Sequence, residues 1–217
     1  MIPSRFFLCG PTASGKTALA LALAEAWDGE IVNCDAFQVY RGLEILSAAP
    51  SDEEQAACPH YLFGVIGAAE SMDAARYAAL ANPVIEEIES RGKTAIVVGG
   101  SGLYLKFLTH GIVRAPPGDE GIRAELEGWS VDQIYERLKK LDPDEAMRQN
   151  SQNRRHLSRA LEICLVTGGK ASELRQNFGD PTLLEGLKGI VLTWPREMLA
   201  ERIALRTGIM LNSGAIN

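Results

Sequence analysis

The sequence predicts an α/β fold in which helices flank a parallel sheet and an all-helical segment is inserted before the last strand. Over roughly the first half of the chain, short apolar runs alternate with helical patterns, which is typical of parallel strands joined by helical crossovers. Between residues 116 and 185 only helical patterns occur, and a strand-like run returns at 188–194. We therefore predict an α/β core formed by 1–115 and 186–217, and a helical insertion at 116–185.

The elements of the core follow from the spacing of apolar residues. "KTALALALAEAW" (16–27) is apolar all round, as in a packed helix, and 72–90 reads as one helix or a bent pair because Pro83 interrupts the pattern. The predicted strands are "RFFLC" (5–9), "EIVNCD" (30–35) and "KTAIVVGG" (93–100).

The insertion and the end of the chain complete the prediction. The helical patterns of the insertion are "IRAELEGW", "VDQIYERLKKL", "DPDEAMRQ" and "NRRHLSRALEICLVTGG". After the strand-like "KGIVLTW" (188–194), Pro195 begins a long amphipathic helix. Since the chain stops in or just after this helix, we expect the C-terminal part of the core to be incomplete.

Composition restricts the function classes. With 46% hydrophobic and 23% charged residues among 217, the chain can bury a normal core. A net charge of −6 argues against nonspecific coating of nucleic acid but allows a local basic face. The four scattered cysteines form no CxxC pair, which predicts reduced thiols and a cytoplasmic location. No apolar segment is long enough to span a membrane. For the oligomeric state, a monomer is the default expectation.

A phosphate-binding loop follows the first strand and matches GxxxxGK[ST]. Its glycines allow successive backbone N–H groups to face phosphate oxygens, while the lysine adds charge and the threonine offers a hydroxyl to Mg²⁺. A strand precedes the loop and a helix follows it, as this motif requires. The loop residues are Gly10, Pro11, Thr12, Ala13, Ser14, Gly15, Lys16 and Thr17.

The motif does not identify the phosphate compound. A nucleoside triphosphatase would have a second apolar strand ending in a metal-binding acid, but the strand at 93–98 ends in glycines. The acid that follows a strand is Asp35, a position where small-molecule kinases also carry a base or metal ligand. Binding of ATP and a kinase activity therefore stay open on these residues alone.

Three further stretches, together with "GPTASGKT", resemble the tRNA dimethylallyltransferase (tRNA isopentenyltransferase) family. They are "NCDAFQVYRGLEILSAAPSDEEQAACPHY", "VVGGSGLYLKFL" and "RRHLSRALEICLVTGGKASEL". The resemblance runs from Phe6 to the last residue. It implies a P-loop NTPase-like fold and transfer of a dimethylallyl group from dimethylallyl diphosphate to N6 of an adenosine beside the anticodon, releasing diphosphate. Family members continue well beyond "GAIN", so we expect this chain to be truncated.

The resemblance assigns roles to residues of the core. The loop would hold the diphosphate, with Mg²⁺ bound through Thr17, and the loop donors with Lys16 would stabilise the charge that grows on the leaving group. Asp35 would be the general base for the exocyclic amine. Ser101, where the family usually has threonine, would contact substrate. We thus expect Lys16, Asp35 and Ser101 to be the catalytic residues.

The resemblance also implies contact with the anticodon arm of tRNA. Gln38 carries an amide suited to pairing with an extruded base. The alternative for the basic cluster of the insertion is a solvated face paired with Asp142, Asp144 and Glu145. The residues expected to bind tRNA are Asp35, Ala36, Phe37, Gln38, Ser101, Arg123, Arg155, His156, Leu157, Ser158 and Arg159.

Three other functions compete with this hypothesis. A prenyltransferase acting on a free adenine nucleotide would share the loop and Asp35, although it would need no basic insertion. A small-molecule kinase would need ATP and a lid arginine, which Arg154 or Arg155 could supply. A remnant that binds tRNA or diphosphate without turnover is the third.

Family members also differ from this chain at Gln152, Asn153 and His156.

Overall fold

A computed structural model describes residues 2–111, 116–176 and 186–215. The strands are β1 (Arg5–Cys9), β2 (Gly29–Asn33), β3 (His60–Tyr61), β4 (Thr94–Gly99) and β5 (Gly189–Val191). The helices are α1 (Lys16–Trp27), α2 (Glu44–Ser47), α3 (Asp52–Ala57), α4 (Ala74–Ser90), α5 (Gly102–His110), α6 (Glu120–Glu127), α7 (Val131–Leu141), α8 (Pro143–Arg148), α9 (Arg154–Thr167), α10 (Ala171–Gln176) and α11 (Arg196–Asn212).

The chain divides into two compact units. One comprises residues 1–110 and 181–217, and the other comprises 111–180. The boundaries predicted from the sequence lie five residues further along at both junctions, among residues 112–115 and 181–185, which lie outside the described ranges.

The described part of the first unit contains a parallel sheet in the order β3-β2-β4-β1-β5. The register pairs Phe6 with Ile96 and Ile31 with Ile96, so β4 lies between β1 and β2. The carboxyl ends of parallel strands meet at one edge of a sheet, where α/β proteins place their ligands. The phosphate loop, Asp35 and Ser101 follow β1, β2 and β4 at this edge.

Apolar side chains fill both faces of this sheet. Ile85 and Val97 belong to the cluster on the side of α4 and α5, and Leu8 and Ile31 belong to the cluster on the side of α1. Each of these side chains is at most 2% exposed, and burial of one such side chain contributes about 1.5–3 kcal/mol. The α/β prediction is confirmed.

Several predicted bounds differ from the structure. The second strand ends at Asn33 rather than at residue 35, because the Asn33 side chain accepts a hydrogen bond from the Asp35 N–H and ends the ladder. The last strand, predicted at 188–194, is confined to 189–191. The helix at 74–90 is continuous through Pro83, and the carbonyl that Pro83 leaves without a partner belongs to the exposed residue Ala79.

The second unit is helical in its described part, as predicted. Ile134 and Leu138 of α7 pack in one core with Leu157 and Leu161 of α9. The side chain of Leu157 is completely buried in this core, so it cannot contact a nucleic acid. Its inclusion among the tRNA-binding side chains is therefore wrong.

A buried carboxylate links strand and helix ends in the first unit. Glu30 is 1% exposed and accepts two hydrogen bonds of 2.8 Å from Arg91 and one of 2.8 Å from Tyr61. Burial alone would raise the pKa of Glu30, but these bonds and the nearby Lys93 lower it below its ordinary value. The ionised form is thus favoured in the folded protein.

We expect Glu30→Gln to lower the free energy of unfolding at neutral pH by about 2 kcal/mol, because charged hydrogen bonds are lost. Because folding lowers the pKa of Glu30, the ionised carboxylate stabilises the protein at pH values above 4.5, its ordinary pKa. This stabilisation is lost as the pH falls through the pKa of Glu30 in the folded protein. The difference between the two proteins should therefore shrink below pH 4.5 in urea unfolding curves. Glu89→Gln, which removes a more exposed pair with Arg5, should cost less than about 0.5 kcal/mol. An equal loss in both variants would contradict the assignment.

No helix among the described residues is sufficiently long and apolar to cross a bilayer.

Candidate active site

The phosphate loop joins β1 to α1 in a conformation shaped by its small residues. Ala13 has φ 63° and Gly15 has φ 96°, both in the left-handed region. At Gly10, a Cβ atom would lie 2.9 Å from Ser14 Oγ and 3.0 Å from the Leu192 carbonyl oxygen, so only glycine fits. The loop therefore has the geometry in which backbone N–H groups can face an anion.

Lys16 spans this loop. Its Nζ donates to the carbonyl oxygens of Gly10 at 2.9 Å and Pro11 at 2.7 Å. Burial lowers the pKa of Lys16, and the nearby Asp35 carboxylate acts in the opposite direction while Arg206 adds to the lowering. An anion in the loop would favour the charged form of Lys16 for the same reason that Asp35 does.

A cavity of about 390 Å³ opens beside the loop. Residues 12–17 of the loop form one wall of the cavity, and Thr17 lies there beside Lys16. Asp35 and Gln38 line it too. The same cavity has apolar walls, to which Ile31, Phe63, Leu205 and Ile209 contribute.

Asp35 is placed by its own turn. Its Oδ1 accepts a hydrogen bond from the Phe37 N–H at 2.9 Å, and Ser101 Oγ accepts one from the Ala36 N–H at 2.8 Å. Ser101 thereby fixes the residues that follow β2, and its hydroxyl hydrogen has no acceptor within the described ranges. Phe37 is 70% exposed next to Asp35.

Gln38 departs from its predicted role in one respect. Its Nε2 donates to the carbonyl oxygens of Ser47 at 3.1 Å and Ala48 at 3.0 Å. Both amide hydrogens are therefore used within the protein, and only Oε1 is left to accept from a ligand. The expectation that Gln38 offers both a donor and an acceptor to a base is wrong in this conformation.

Helix α11 supplies two arginines that the sequence analysis missed. Arg202 donates from Nε to the Ala13 carbonyl oxygen at 2.7 Å, and Arg206 donates from Nη2 to the Ser47 carbonyl oxygen at 3.1 Å. Both line the cavity, and burial lowers the pKa of Arg206 while Asp35 raises it. The signal available in the sequence was their i,i+4 spacing, which places them on one helix face.

His60 also lines the cavity, although it was assigned no role from the sequence. Its Nδ1 lies 2.8 Å from the Cys58 carbonyl oxygen, so Nδ1 carries the hydrogen and the lone pair of the neutral ring is on Nε2. Nε2 is buried and has no hydrogen-bond partner in the described part of the chain.

The basic cluster of the helical unit is partly neutralised by a buried acid. Arg123 Nε donates to Glu162 Oε1 at 2.8 Å, and Arg159 Nη1 donates to Glu162 Oε2 at 2.6 Å. Burial alone would raise the pKa of Glu162, but these bonds and one from the Asp119 N–H lower it. The predicted alternative partners, Asp142, Asp144 and Glu145, do not make these pairs.

The other members of the cluster differ in exposure. Arg155 and His156 are exposed on α9, and Ser158 is partly exposed. Arg154 is used within the fold, since it donates to the carbonyl oxygens of Leu126, Glu127 and Trp129 near the end of α6. These bonds argue against Arg154 as the lid arginine of a kinase.

Comparison with known proteins places the chain in a family. The model of the family described as IPP transferase matches residues 38–217, more than half of the chain. The chain belongs to the IPP transferase family. One relative is the tRNA dimethylallyltransferase of Akkermansia muciniphila, 44% identical over 210 residues that cover 97% of this chain and 70% of the relative. That of an Anaeromyxobacter species is 45% identical over 96% of this chain and 71% of the relative.

Solved structures agree with this membership. The tRNA isopentenylpyrophosphate transferase of Bacillus halodurans is 33% identical with a TM-score of 0.63, and the match covers 97% of this chain and 67% of that one. A eukaryotic dimethylallyltransferase that acts on tRNA is 28% identical with a TM-score of 0.79, over 99% and 54% of the two chains. This IPP transferase thus has the predicted P-loop NTPase-like fold and is an enzyme of the prenyltransferase class.

Proposed function

We propose that this IPP transferase moves a dimethylallyl group from dimethylallyl diphosphate to N6 of an adenosine beside the anticodon of tRNA. One observation carries the proposal. A single cavity combines a phosphate loop with Lys16, the carboxylate of Asp35, and apolar walls. A diphosphate, an amine that loses a proton as it reacts, and a branched hydrocarbon are the three chemical parts that this lining suits.

The loop and its cations would hold the group that leaves. Negative charge grows on the diphosphate as the bond from its oxygen to the allylic carbon breaks. Lys16, Arg202 and Arg206 all line the cavity and can share this charge with the loop N–H groups. Because these donors are fixed before the reaction, they stabilise the transition state more than the bound substrate.

The residues present fit a magnesium ion in one limited way. Within the described ranges, no three His, Cys, Asp or Glu side chains are grouped as a metal site. Mg²⁺ is often held by one or two protein oxygens together with phosphate oxygens and water, and the Thr17 hydroxyl can be such a ligand. When bound, Mg²⁺ would neutralise part of the diphosphate charge.

The apolar wall would receive the hydrocarbon. Phe63 and Ile31 lie at the sheet, while Leu205 and Ile209 project from α11 and are 70% and 59% exposed. A bound dimethylallyl group would cover part of this apolar surface and exclude water from the allylic carbon. Water is a competing nucleophile, so its exclusion favours transfer over hydrolysis.

Asp35 would accept the proton of the transfer. As the bond between N6 and the allylic carbon forms, the amine becomes acidic and loses one proton to Asp35. The Phe37 N–H fixes Oδ1 of Asp35, and Oδ2 has no hydrogen-bond partner in the described part of the chain. Gln38 Oε1 can accept the second hydrogen of the amine, which would orient it.

The acceptor would be the anticodon arm. Three arginines of the helical unit, Arg123 of α6 with Arg155 and Arg159 of α9, outnumber Glu162, the acid that pairs with two of them. Such a surface suits phosphate contacts that position an RNA. We further propose that His156 and Ser158 belong to this contact. A chain that modifies tRNA as a monomer in the cytoplasm also agrees with four free cysteines.

We expect Phe37→Ala to raise the KM for tRNA about tenfold with little change in the KM for dimethylallyl diphosphate. The side chain is 70% exposed next to Asp35, and stacking of a base on an aromatic ring contributes about 1–3 kcal/mol. Steady-state kinetics with each substrate varied in turn measures this. Leu80→Ala, at an exposed apolar position of α4, is the control and should leave both constants unchanged. A rise confined to the prenyl donor would contradict the assignment.

Calorimetric titration with Mg²⁺ and, separately, dimethylallyl diphosphate, ATP and inorganic pyrophosphate tests the function. We expect the allylic diphosphate to bind more tightly than ATP, and the chain then to transfer label from it to unmodified tRNA. Tight ATP binding without binding of the allylic diphosphate would overturn the proposal in favour of a kinase. Transfer to free adenosine monophosphate but not to tRNA would overturn the acceptor.

A further inference from the structure

The segment after β5 lies against the outer side of the phosphate loop. The Leu192 N–H donates to the Cys9 carbonyl oxygen at 2.8 Å, just before the loop begins. Trp194 Nε1 then donates to the Ser14 carbonyl oxygen at 2.9 Å, across 180 residues of sequence. Arg202 donates to the Ala13 carbonyl oxygen, so two consecutive carbonyl groups of the loop are held by side chains that lie outside the loop.

Trp194 and Arg202 also contact each other. The guanidinium carbon of Arg202 lies 4.5 Å from the centre of the Trp194 ring, within the range of a cation–π interaction. Arg202 uses Nε for Ala13, and neither of its Nη nitrogens has a hydrogen-bond partner in the described ranges. Nη2 lies 3.9 Å from where a Cβ atom of Gly15 would be, at the mouth of the loop.

We propose that Trp194 is a positioning residue for the diphosphate site. Its indole N–H holds the loop carbonyl of Ser14 outward, and its ring is the platform that directs the free nitrogens of Arg202 towards the diphosphate. This inference rests on the proposed binding of a diphosphate in the loop. It adds a residue that neither lines the cavity nor belongs to the loop motif.

The loop needs such support from outside. Ala13 is held at φ 63°, a conformation that costs free energy for a residue with a Cβ atom and persists only where surrounding contacts enforce it. Since each peptide unit is planar, a carbonyl fixed outward turns the following N–H inward. The bond to the Ser14 carbonyl oxygen therefore orients the N–H group of Gly15 towards the site, while the Ser14 N–H donates to the Pro11 carbonyl oxygen at 3.3 Å within the loop.

Stacking on the Trp194 ring affects the conformational freedom of Arg202. A guanidinium stacked on an indole loses rotamer freedom before the ligand arrives, so less entropy is lost when the anion binds. Removal of Trp194 should consequently weaken diphosphate binding even when the fold is intact. It should do so largely through Arg202.

The test is calorimetric titration of inorganic pyrophosphate with Mg²⁺ into the full chain and its variants. Trp194→Leu removes both the N–H and the ring, and we expect Kd to rise about tenfold. Trp194→Phe keeps a ring without the N–H, and we expect a rise of about threefold. Trp27→Phe, at a tryptophan that packs against Phe6 at the end of α1, is the matched control and should leave Kd unchanged.

A double-mutant cycle separates positioning from structural support. In an Arg202→Met background, the effect of Trp194→Leu should shrink from about tenfold to about threefold, because only the bond to Ser14 is then lost. Thermal unfolding of each variant reports the fold. An unchanged Kd in both Trp194 variants, or an equal effect in both backgrounds, would overturn the inference. Failure of the unaltered chain to bind pyrophosphate would instead overturn the proposed function, and this inference with it.

Discussion

Asp35→Asn is expected to lower the rate of dimethylallyl transfer about a thousandfold while dimethylallyl diphosphate still binds. General-base catalysis by a placed carboxylate contributes about 10²–10⁴-fold, and an amide cannot accept the proton of the amine. Asparagine keeps an oxygen in place of Oδ1, so the hydrogen bond from the Phe37 N–H can persist and the turn should keep its shape. Single-turnover transfer to tRNA measures the rate, and calorimetry measures donor binding.

The control for this variant makes the same change at Asp73, an aspartate whose carboxylate also accepts a hydrogen bond from a backbone N–H. Asp73 caps the N-terminus of α4, accepts a hydrogen bond from the Arg76 N–H at 2.7 Å, and does not line the cavity. Asp73→Asn should transfer at the unaltered rate. Transfer by Asp35→Asn within tenfold of that rate would remove Asp35 from the mechanism, whereas loss of donor binding would show that it acts on the diphosphate side.

Lys16→Met is expected to reduce kcat/KM about a hundredfold and to weaken binding of both dimethylallyl diphosphate and pyrophosphate. Loss of one fixed donor to a developing negative charge typically costs 10²–10³-fold. Methionine keeps the length and most of the apolar stem, so the change removes the charge and the two bonds across the loop. The loss should appear in donor binding as well as in turnover, which distinguishes it from the Asp35 variant.

Lys188→Met provides the comparison, because this lysine is exposed in the same unit and does not line the cavity. Its donor affinity and turnover should match those of the unaltered chain. Normal pyrophosphate affinity in Lys16→Met would refute the proposed role of the loop. A loss of unfolding free energy as large as the loss of binding free energy would also count against it, since the variant would then have a damaged fold.

Local sequence determined much of the fold and the centre of the candidate site. The strands of the sheet and the helices that flank it follow from the periodicity of apolar residues, which is visible within short segments. Eight consecutive residues specify the phosphate loop. The position of Asp35 at the same edge follows from parallel strands, whose carboxyl ends meet. The short α2, α3 and β3 were not predicted, because they lie in a stretch between the second strand and α4 that shows no apolar period.

Tertiary packing determined which side chains surround this centre. Trp194 and Arg202 meet the loop across about 180 residues of sequence, and no pattern in either segment specifies that contact. The donors of Gln38 are used by backbone carbonyls nine and ten residues away, and Leu157 is buried by α7. Glu162, rather than Asp142, Asp144 or Glu145, pairs with Arg123 and Arg159 of the helical unit.

The physical reason is the range of the interactions. Backbone propensity and apolar periodicity act between neighbours in the chain, so the sequence by itself determined the α/β class, the helical insertion and the phosphate loop. Hydrogen bonds and ion pairs select partners by distance and burial once the chain is packed. Only the tertiary structure could therefore decide that α11 brings two arginines to the cavity and that Trp194, which precedes this helix, contacts the loop.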